Sequence, residues 1–295
     1  MSISRCAKKE RDNMNESKIY IYAYTNHKYG LDRLRRMAVL YQELKKQGQA
    51  VEMLVNDFRA AGMARDLDVS TCTTIETIFD IDFVAERGDT LVLDSPEDDR
   101  GKLEIYAEMF SALYKVANSC DETSVYTEQI IQLNALVGDE YIDAQSRAKD
   151  DRVLLFFGDS DSDKYLLKEA DFFRSFGFDL LFGEYFYIDY ESDLASVFPV
   201  IHESEEYSEL ISSSQTTITS SIQTVYEAYT AGANSIYLDC KGLDICIKEQ
   251  MQEIGISVVD MFDQKGLQNA IKNTSNQMKE LSFKAEKLAQ MIANK

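Results

Sequence analysis

Short apolar runs alternate with helix-length amphipathic stretches along nearly the whole chain, and the alternation starts afresh halfway. Residues 18–25 (KIYIYAYT) are almost continuously apolar, as a parallel strand covered on both faces must be. A turn at 26–30 leads into 31–47, where Leu31, Leu34, Met37, Ala38, Tyr41 and Leu44 share one helical face and Gly48 stands just beyond. Residues 50–55 and 89–94 are further strands. Ser95-Pro96-Glu97-Asp98 then predicts a helix start, with Ser as cap and Pro in first position. Strands are also expected at 112–117 and around Val125.

The stretch 139–150 is polar and aperiodic, and the domain boundary is expected there. Strand 152–157 opens the second half, followed by the polar loop 158–163 and a helix with Tyr165, Leu166 and Ala170 inward. Strands at 178–182 and 198–201 and a short helix at 207–212 come next. The clearest unit is 216–239. A β-branched strand meets Ser221 as N-cap, then a helix with Ile222, Val225, Tyr226 and Tyr229 in one stripe, a left-handed stop at Gly232, and a second strand. A helix at 243–254, a strand at 256–261 and a helical segment from 266 to 295 complete the chain. Leu267, Ile271, Met278, Leu281, Ala285, Leu288 and Met291 form an apolar stripe on that last segment, which docks on the N-terminal domain or on another protein. The fold class is therefore α/β, two tandem Rossmann-like domains with a cleft between their strand ends. The expected division is a flexible arm at 1–17, domains at 18–145 and 146–264, and a C-terminal helical segment at 265–295.

Charge narrows the partners. The 295 residues carry a net charge of -20, with a pI near 4.5 and no densely basic segment. Nucleic acid and anionic membrane surfaces are thereby disfavoured, although one basic pocket remains compatible. No apolar run reaches the roughly 18 residues of a membrane span, and residues 1–17 lack the apolar centre of a signal peptide. The five cysteines (Cys6, Cys72, Cys120, Cys240 and Cys246) are odd in number and show no CxxC spacing, so free thiols in a reducing cytoplasm are expected. There is no GxGxxG after the first strand, and no cofactor is expected. The acidic loop 158–163 has no His or Cys beside it and no EF-hand spacing, so no metal is expected.

Candidate chemistry gathers at strand ends. Thr219, Ser220 and Ser221 fall where a strand meets a helix amino terminus, a place that favours a phosphate, and capping accounts for only one of the three hydroxyls. Glu227, farther along that helix, is either a carboxylate for a diol or an exposed surface acid. The aspartates of loop 158–163 repel a diphosphate unless backbone N–H groups or a cation intervene, and otherwise form a solvated turn. Arg33, Arg35 and Arg36 either close on a phosphate or carboxylate ligand across the cleft, or Arg35 and Arg36 only cover a helix in an acidic protein. Asp94 ends its strand as a site residue or a turn cap. His27 and His202 lie in strand-end loops, and Tyr185 and Tyr187 are the aromatics placed to face a ligand.

These motifs resemble the two-domain nucleotide-sugar enzymes of the GT-B type, in particular the PseG-like UDP-sugar hydrolases of pseudaminic acid synthesis. Phe157-Gly158-Asp159-Ser160-Asp161 is similar to their first C-terminal loop, and Tyr207-Ser208-Glu209-Leu210-Ile211 to a short helix. Ile218-Thr219-Ser220-Ser221-Ile222-Gln223-Thr224-Val225-Tyr226-Glu227-Ala228, with Ala231-Gly232, resembles their nucleotide-binding helix start. The resemblance runs in order over residues 18–262. It implies nucleotide binding by Gly158, Ser220, Ser221, Thr224 and Glu227, the last on the ribose, and phosphate or substrate contacts from Arg33 and Arg36. In the N-terminal domain Gly30 and Arg36 match the family's Gly-Phe-Gly-His loop and following Arg, but Asp32 stands at the second Gly and Arg33 at the His. Arginine stays protonated and cannot serve as the base, which leaves His27 and Asp94 as catalytic candidates. Two functions are compatible: a nucleotide-sugar hydrolase or glycosyltransferase of surface-carbohydrate synthesis, or an inactive scaffold of the same fold that engages a protein partner.

Overall fold

A computed structural model describes residues 17–186, 188–240, 242–273, 279, 281 and 284–294. The expected arm (through residue 16), Tyr187 and Met278 lie outside them. The first half runs β1 (Ile19–Ala23), α1 (Asp32–Lys46), β2 (Val51–Val55), α2 (Phe58–Asp66), β3 (Cys72–Thr74), a 3₁₀ turn (Ile78–Phe83), β4 (Thr90–Asp94), α3 (Lys102–Met109), β5 (Ala112–Val116) and β6 (Gln129–Ile131). The second runs α4 (Asp139–Ala144), β7 (Asp150–Phe156), α5 (Tyr165–Lys168), α6 (Ala170–Arg174), β8 (Asp179–Leu181), α7 (Ile188–Leu194) and β9 (Val200–His202). After a 3₁₀ turn come α8 (Tyr207–Ser213), β10 (Ser214–Thr219), α9 (Ile222–Thr230), β11 (Asn234–Asp239), α10 (Ile245–Ile254), β12 (Ser257–Asp260), α11 (Gln264–Lys272) and α12 (Ala285–Ala293).

The strands form two parallel sheets, ordered β3-β2-β1-β4-β5-β6 and β12-β11-β10-β7-β8-β9. Each sheet winds outward from its first strand and then reverses, so the switch points lie between β1 and β4 and between β7 and β10. Ligands of open α/β sheets bind beyond the carboxyl ends of such strands. All five residues of β1 and of β4 are buried, which is why their sequences run apolar without alternation. Helix α1 buries Leu34, Met37, Leu40, Tyr41 and Leu44, carries Asp32 in its first turn and Lys45 and Lys46 in its last, and gives way to Gly48 at φ 78°.

Two expectations fail locally. Residues 95–98 start no helix: Ser95 Oγ accepts the Glu97 amide (3.1 Å), while the Glu97 carboxylate is held by the Tyr22 hydroxyl (2.7 Å). Helix α3 begins only at Lys102, after Arg100 and Gly101 turn the chain through positive φ. Val125 is no strand residue. It lies 74% exposed in a loop whose amides at 125 and 126 donate to Glu128, and the strand forms at Gln129–Ile131.

The C-terminal segment divides between the domains. Leu267 of α11 enters the core of the second sheet, whereas Ala289 and Ile292 of α12 join the core of the first, packed on α1. The Tyr114 hydroxyl donates to the Met291 carbonyl at 3.3 Å. The last helix thus crosses back onto the N-terminal domain of its own chain. Helix α4, within the expected boundary stretch, packs Tyr141 and Ala144 against Leu154, Leu210 and Ile211 of the second half. Among the described residues no helix is long and apolar enough to cross a membrane. The expectation of free thiols is corrected at one pair. The loop after β5 lies against the start of α10 and joins Cys120 to Cys246, while Cys72 and Cys240 take no part in a disulfide.

Candidate functional site

The site forms where the amino termini of α1 and α9 meet across the cleft. Ser221 caps α9 as its sequence predicts, accepting the Thr224 amide at 3.0 Å. The Ser221 hydroxyl donates to Asp32 Oδ1 (2.6 Å), and the Gln223 amide donates to Asp32 Oδ2 (3.3 Å). A carboxylate from the N-terminal domain therefore sits on the first turn of α9, where free N–H groups favour an anion. Burial, and then the charge of Asp159, push the Asp32 carboxyl up from its ordinary range.

One turn along α1, Arg35 grips Asp159 through both oxygens (2.8 and 2.6 Å), and the Leu31 amide adds a third bond at 2.8 Å. Gly30, at φ 69°, admits this approach: a Cβ there would lie 3.0 Å from Asp159 Oδ2. Burial opposes the Arg35 charge, but Asp159 outweighs it and holds the guanidinium fully charged. The same guanidinium lies 4.1 Å from the centre of the Tyr207 ring. The aspartates of loop 158–163 are thus not all solvated: Asp159 is 3% and Asp161 8% exposed, the latter capping α5 through the Tyr165 and Leu166 amides.

Behind Ser221 a buried polar chain continues. The Thr224 hydroxyl lies 2.7 Å from both Ser221 Oγ and the Tyr207 hydroxyl. Tyr207 donates to Glu227 Oε2 (2.6 Å), and Gln223 Nε2 donates to Glu227 Oε1 (2.7 Å) and to the Leu136 carbonyl of the facing segment (2.6 Å). Glu227 is 2% exposed. Burial pushes its carboxyl up to about 7 against the opposing pull of Arg35. Ser220 Oγ donates to the Phe157 carbonyl, and Gly158 adopts φ 118° beside it.

The remaining candidates lie to either side. Arg36 binds both oxygens of Asp94 at 2.6 Å and the Asn134 carbonyl at 3.2 Å. Arg33 Nε is 3.3 Å from Asp94 Oδ1, with its guanidinium 5.3 Å from the Tyr29 ring centre, so the two arginines share one carboxylate. His27 is exposed in the turn after β1. His202 ends the edge strand β9, 3.4 Å from Glu206 and 3.6 Å from Asp179. Tyr185 donates to Asp57 across the cleft at 3.0 Å. At the strand-end face the cavity between the domains measures about 120 Å³ and touches Lys28, Tyr29, Asp32, Gly158, Ser220 and Ser221, while a second cavity of about 610 Å³ lies away from that face between Val39, Glu43 and Lys46 of α1 and Tyr229 and Thr230 of α9. Pockets for nucleotide-sized ligands run to roughly 300–1,000 Å³. At the strand-end face, where Asp32 meets Ser221, the cleft is closed.

The structure thus brings Gly158, Ser220 and Ser221 together at one strand-end face, buries Thr224 and Glu227 behind them along α9, and sets Arg33, Arg36 and Asp94 in a neighbouring cluster. Sequence reasoning did not foresee Asp32 and Asp159 as the partners that seal the cleft. The one signal for Asp32 was its place where the similar family has a glycine.

No protein-family model and no curated protein matches the chain in sequence. Solved structures do match in shape. The UDP-GlcNAc 2-epimerase of Methanocaldococcus jannaschii, in complex with UDP-GlcNAc and UDP, aligns with a TM-score of 0.61 at 9% identity, covering 94% of this chain and all of that one. A glycosyltransferase of Rickettsia africae aligns at 0.54 with 12% identity over 95% and 93% of the two chains. The glycosyltransferase SnogD of Streptomyces nogalater gives 0.50 and 12% over 95% and 100%. At such identities the likeness is one of fold. The chain is a two-domain GT-B-like protein, and the likeness extends across epimerases and glycosyltransferases rather than to PseG-like hydrolases specifically.

Proposed function

We propose that the chain binds a nucleotide sugar of the uridine type, with its diphosphate on the first turn of α9, in a cleft that opens to admit it. The observation that carries this is the Asp32 carboxylate on Ser221 Oγ and the Gln223 amide: the helix start already holds an anion, supplied by the opposite domain. A diphosphate carries more charge and more acceptor oxygens than one carboxylate, and it competes for the same donors. The similar structure solved with UDP-GlcNAc and UDP supports the ligand class. In the closed form both Glu227 oxygens accept from Tyr207 and Gln223, so a ribose diol reaches Glu227 only by exchanging with those bonds.

Turnover is a separate matter. Arg33 stands where the similar hydrolases place an imidazole, and His27 lies exposed in the preceding turn. A PseG-like role in surface-carbohydrate synthesis therefore rests on His27 acting in its place. Purified protein is expected not to hydrolyse a UDP-sugar at an enzyme-like rate. Turnover that disappears in His27→Ala would restore the hydrolase.

Calorimetry with UDP, on protein whose Cys120–Cys246 link has been reduced, tests the binding. Asp32→Ala removes the competing carboxylate and should bind UDP about tenfold more tightly than the parent chain, since a charge-assisted bond no longer has to be displaced. Moderate salt is required, because a chain of charge -20 repels a nucleotide at long range. No saturable binding by either protein at millimolar UDP would overturn the reading. It would favour an inactive GT-B-like scaffold, which the buried Arg35–Asp159 clamp also suits.

A further inference from the structure

We propose that Cys120 and Cys246 form a reversible disulfide that bolts the two domains together, so that opening of the cleft depends on thiol redox state. Cys120 lies in the loop after β5 of the first sheet, and Cys246 in the first turn of α10, directly after β11 of the second. They are 126 residues apart in sequence, yet their Cα atoms are 6.5 Å apart, within the roughly 4.4–6.8 Å that a disulfide spans. Both are half-buried, so a small thiol reagent can reach them. Both loops lie at the carboxyl ends of their strands, the same face that carries Asp32 and Ser221.

The polar contacts named at the cleft are exchangeable. Asp32 on Ser221, Arg35 on Asp159, Tyr185 on Asp57 and Gln223 on the Leu136 carbonyl can each trade a protein partner for water as the domains part. A covalent bond between Cys120 and Cys246 cannot. Oxidation proceeds by exchange with a low-molecular-weight disulfide such as glutathione disulfide. One protein thiolate attacks a sulfur of that disulfide and expels one glutathione thiolate. The second protein thiolate then attacks the mixed disulfide and expels the other. The dithiol loses two electrons, the glutathione disulfide gains them, and the two protons pass to the departing thiolates. Excess reduced thiol runs the steps backwards and frees the cleft.

The bolt itself stands on the cysteine geometry; its effect on ligand entry rests on the nucleotide reading above. Protein equilibrated with glutathione disulfide, then denatured and titrated, should show three free thiols against five after reduction. A non-reducing peptide map should join the Cys120 and Cys246 peptides. Hydrogen exchange at the Leu31 and Gln223 amides, which both donate across the cleft, should be at least about tenfold slower in the oxidised protein. Cys120→Ser and Cys246→Ser should each match the reduced parent under both conditions. UDP should associate measurably only with reduced protein. A map without the 120–246 link would overturn the proposal, as would equal exchange in both states. So would one equivalent of zinc that a chelator removes, because the Asp244 carboxylate lies within 4.8 Å of both sulfurs and the three would then be metal ligands. UDP bound equally in both states sinks the gating and leaves the nucleotide reading intact. No UDP binding in either state sinks the nucleotide reading, while the exchange rates still decide the bolt.

Discussion

Glu227 shows what a single side chain costs when two domains close over it. On α9 alone it belongs to the polar face, beside Gln223 and Thr224. Contact of α9 with α1 and α8 covers that face and leaves Glu227 2% exposed. Burial then raises its carboxyl from 4.5 to about 7, with Arg35 only partly opposing. A raised acid binds its proton more tightly folded than unfolded. Its contribution is complete below pH 4.5 and is lost as pH rises through 7, for a total on the order of 3 kcal/mol. Urea midpoints followed from pH 4.5 to 8 should therefore fall for the parent chain relative to Glu227→Gln, which keeps the shape without the charge. Parallel curves would refute the assignment. The local features of this helix were legible in sequence, since the Ser221 cap and the Gly232 stop (φ 92°) depend on neighbours a few residues away. The state of Glu227 was not. Tyr207 comes from the preceding helix and Arg35 from the other domain, and no periodicity within α9 encodes either.

Among elements, the loops after β7 and β8 decide how closely the domains approach. A Cβ on Gly183 would lie 2.3 Å from both the Asp159 Cα and the Gly158 carbonyl oxygen. Backbone cannot yield there without moving Asp159 off Arg35. Gly158 is the opposite case: its φ of 118° resists any side chain, but the nearest atom to an added Cβ, Ser220 Oγ, is 3.8 Å away. Gly158→Ala should cost about 1–3 kcal/mol of backbone strain. Gly183→Ala should cost more, because it adds overpacking to a displaced ion pair. Thermal midpoints of the two variants check the order, and a larger loss for Gly158→Ala would sink the crowding argument. Strands such as β1, β4 and β10 were plain in sequence because a buried parallel strand must be apolar or β-branched along its length. The helix expected at Ser95-Pro96 failed although its signal is correct for a free segment: Tyr22, from β1, takes the Glu97 carboxylate into the turn. β6 was misplaced because a three-residue edge strand, half-buried throughout, has too little pattern to register.

For the whole molecule, the question is whether the two domains are one core or two bodies held by a clasp. A buried ion pair broken on one side costs about 3–5 kcal/mol when water cannot reach the stranded charge. Arg35 and Asp159 lie between domains, so the stranded Asp159 has a cheaper escape: the cleft opens and solvates it. In reduced protein, Arg35→Met should therefore lose less global stability than that figure, while its radius of gyration by X-ray scattering rises above the parent value. The paired change Arg35→Met with Asp159→Leu removes the charge along with its partner. It should bring the radius back, because an apolar contact of similar size replaces the clasp and nothing demands water. The core of α1 is distinct from this contact, since Leu34, Met37 and Leu44 face their own sheet and α12 covers another side, so the N-terminal domain keeps its packing as the cleft parts. An unchanged radius in Arg35→Met together with a full 3–5 kcal/mol loss in urea would mean the opposite. The domains would then unfold as one unit, and a ligand could enter only by local rearrangement around Ser220 and Ser221.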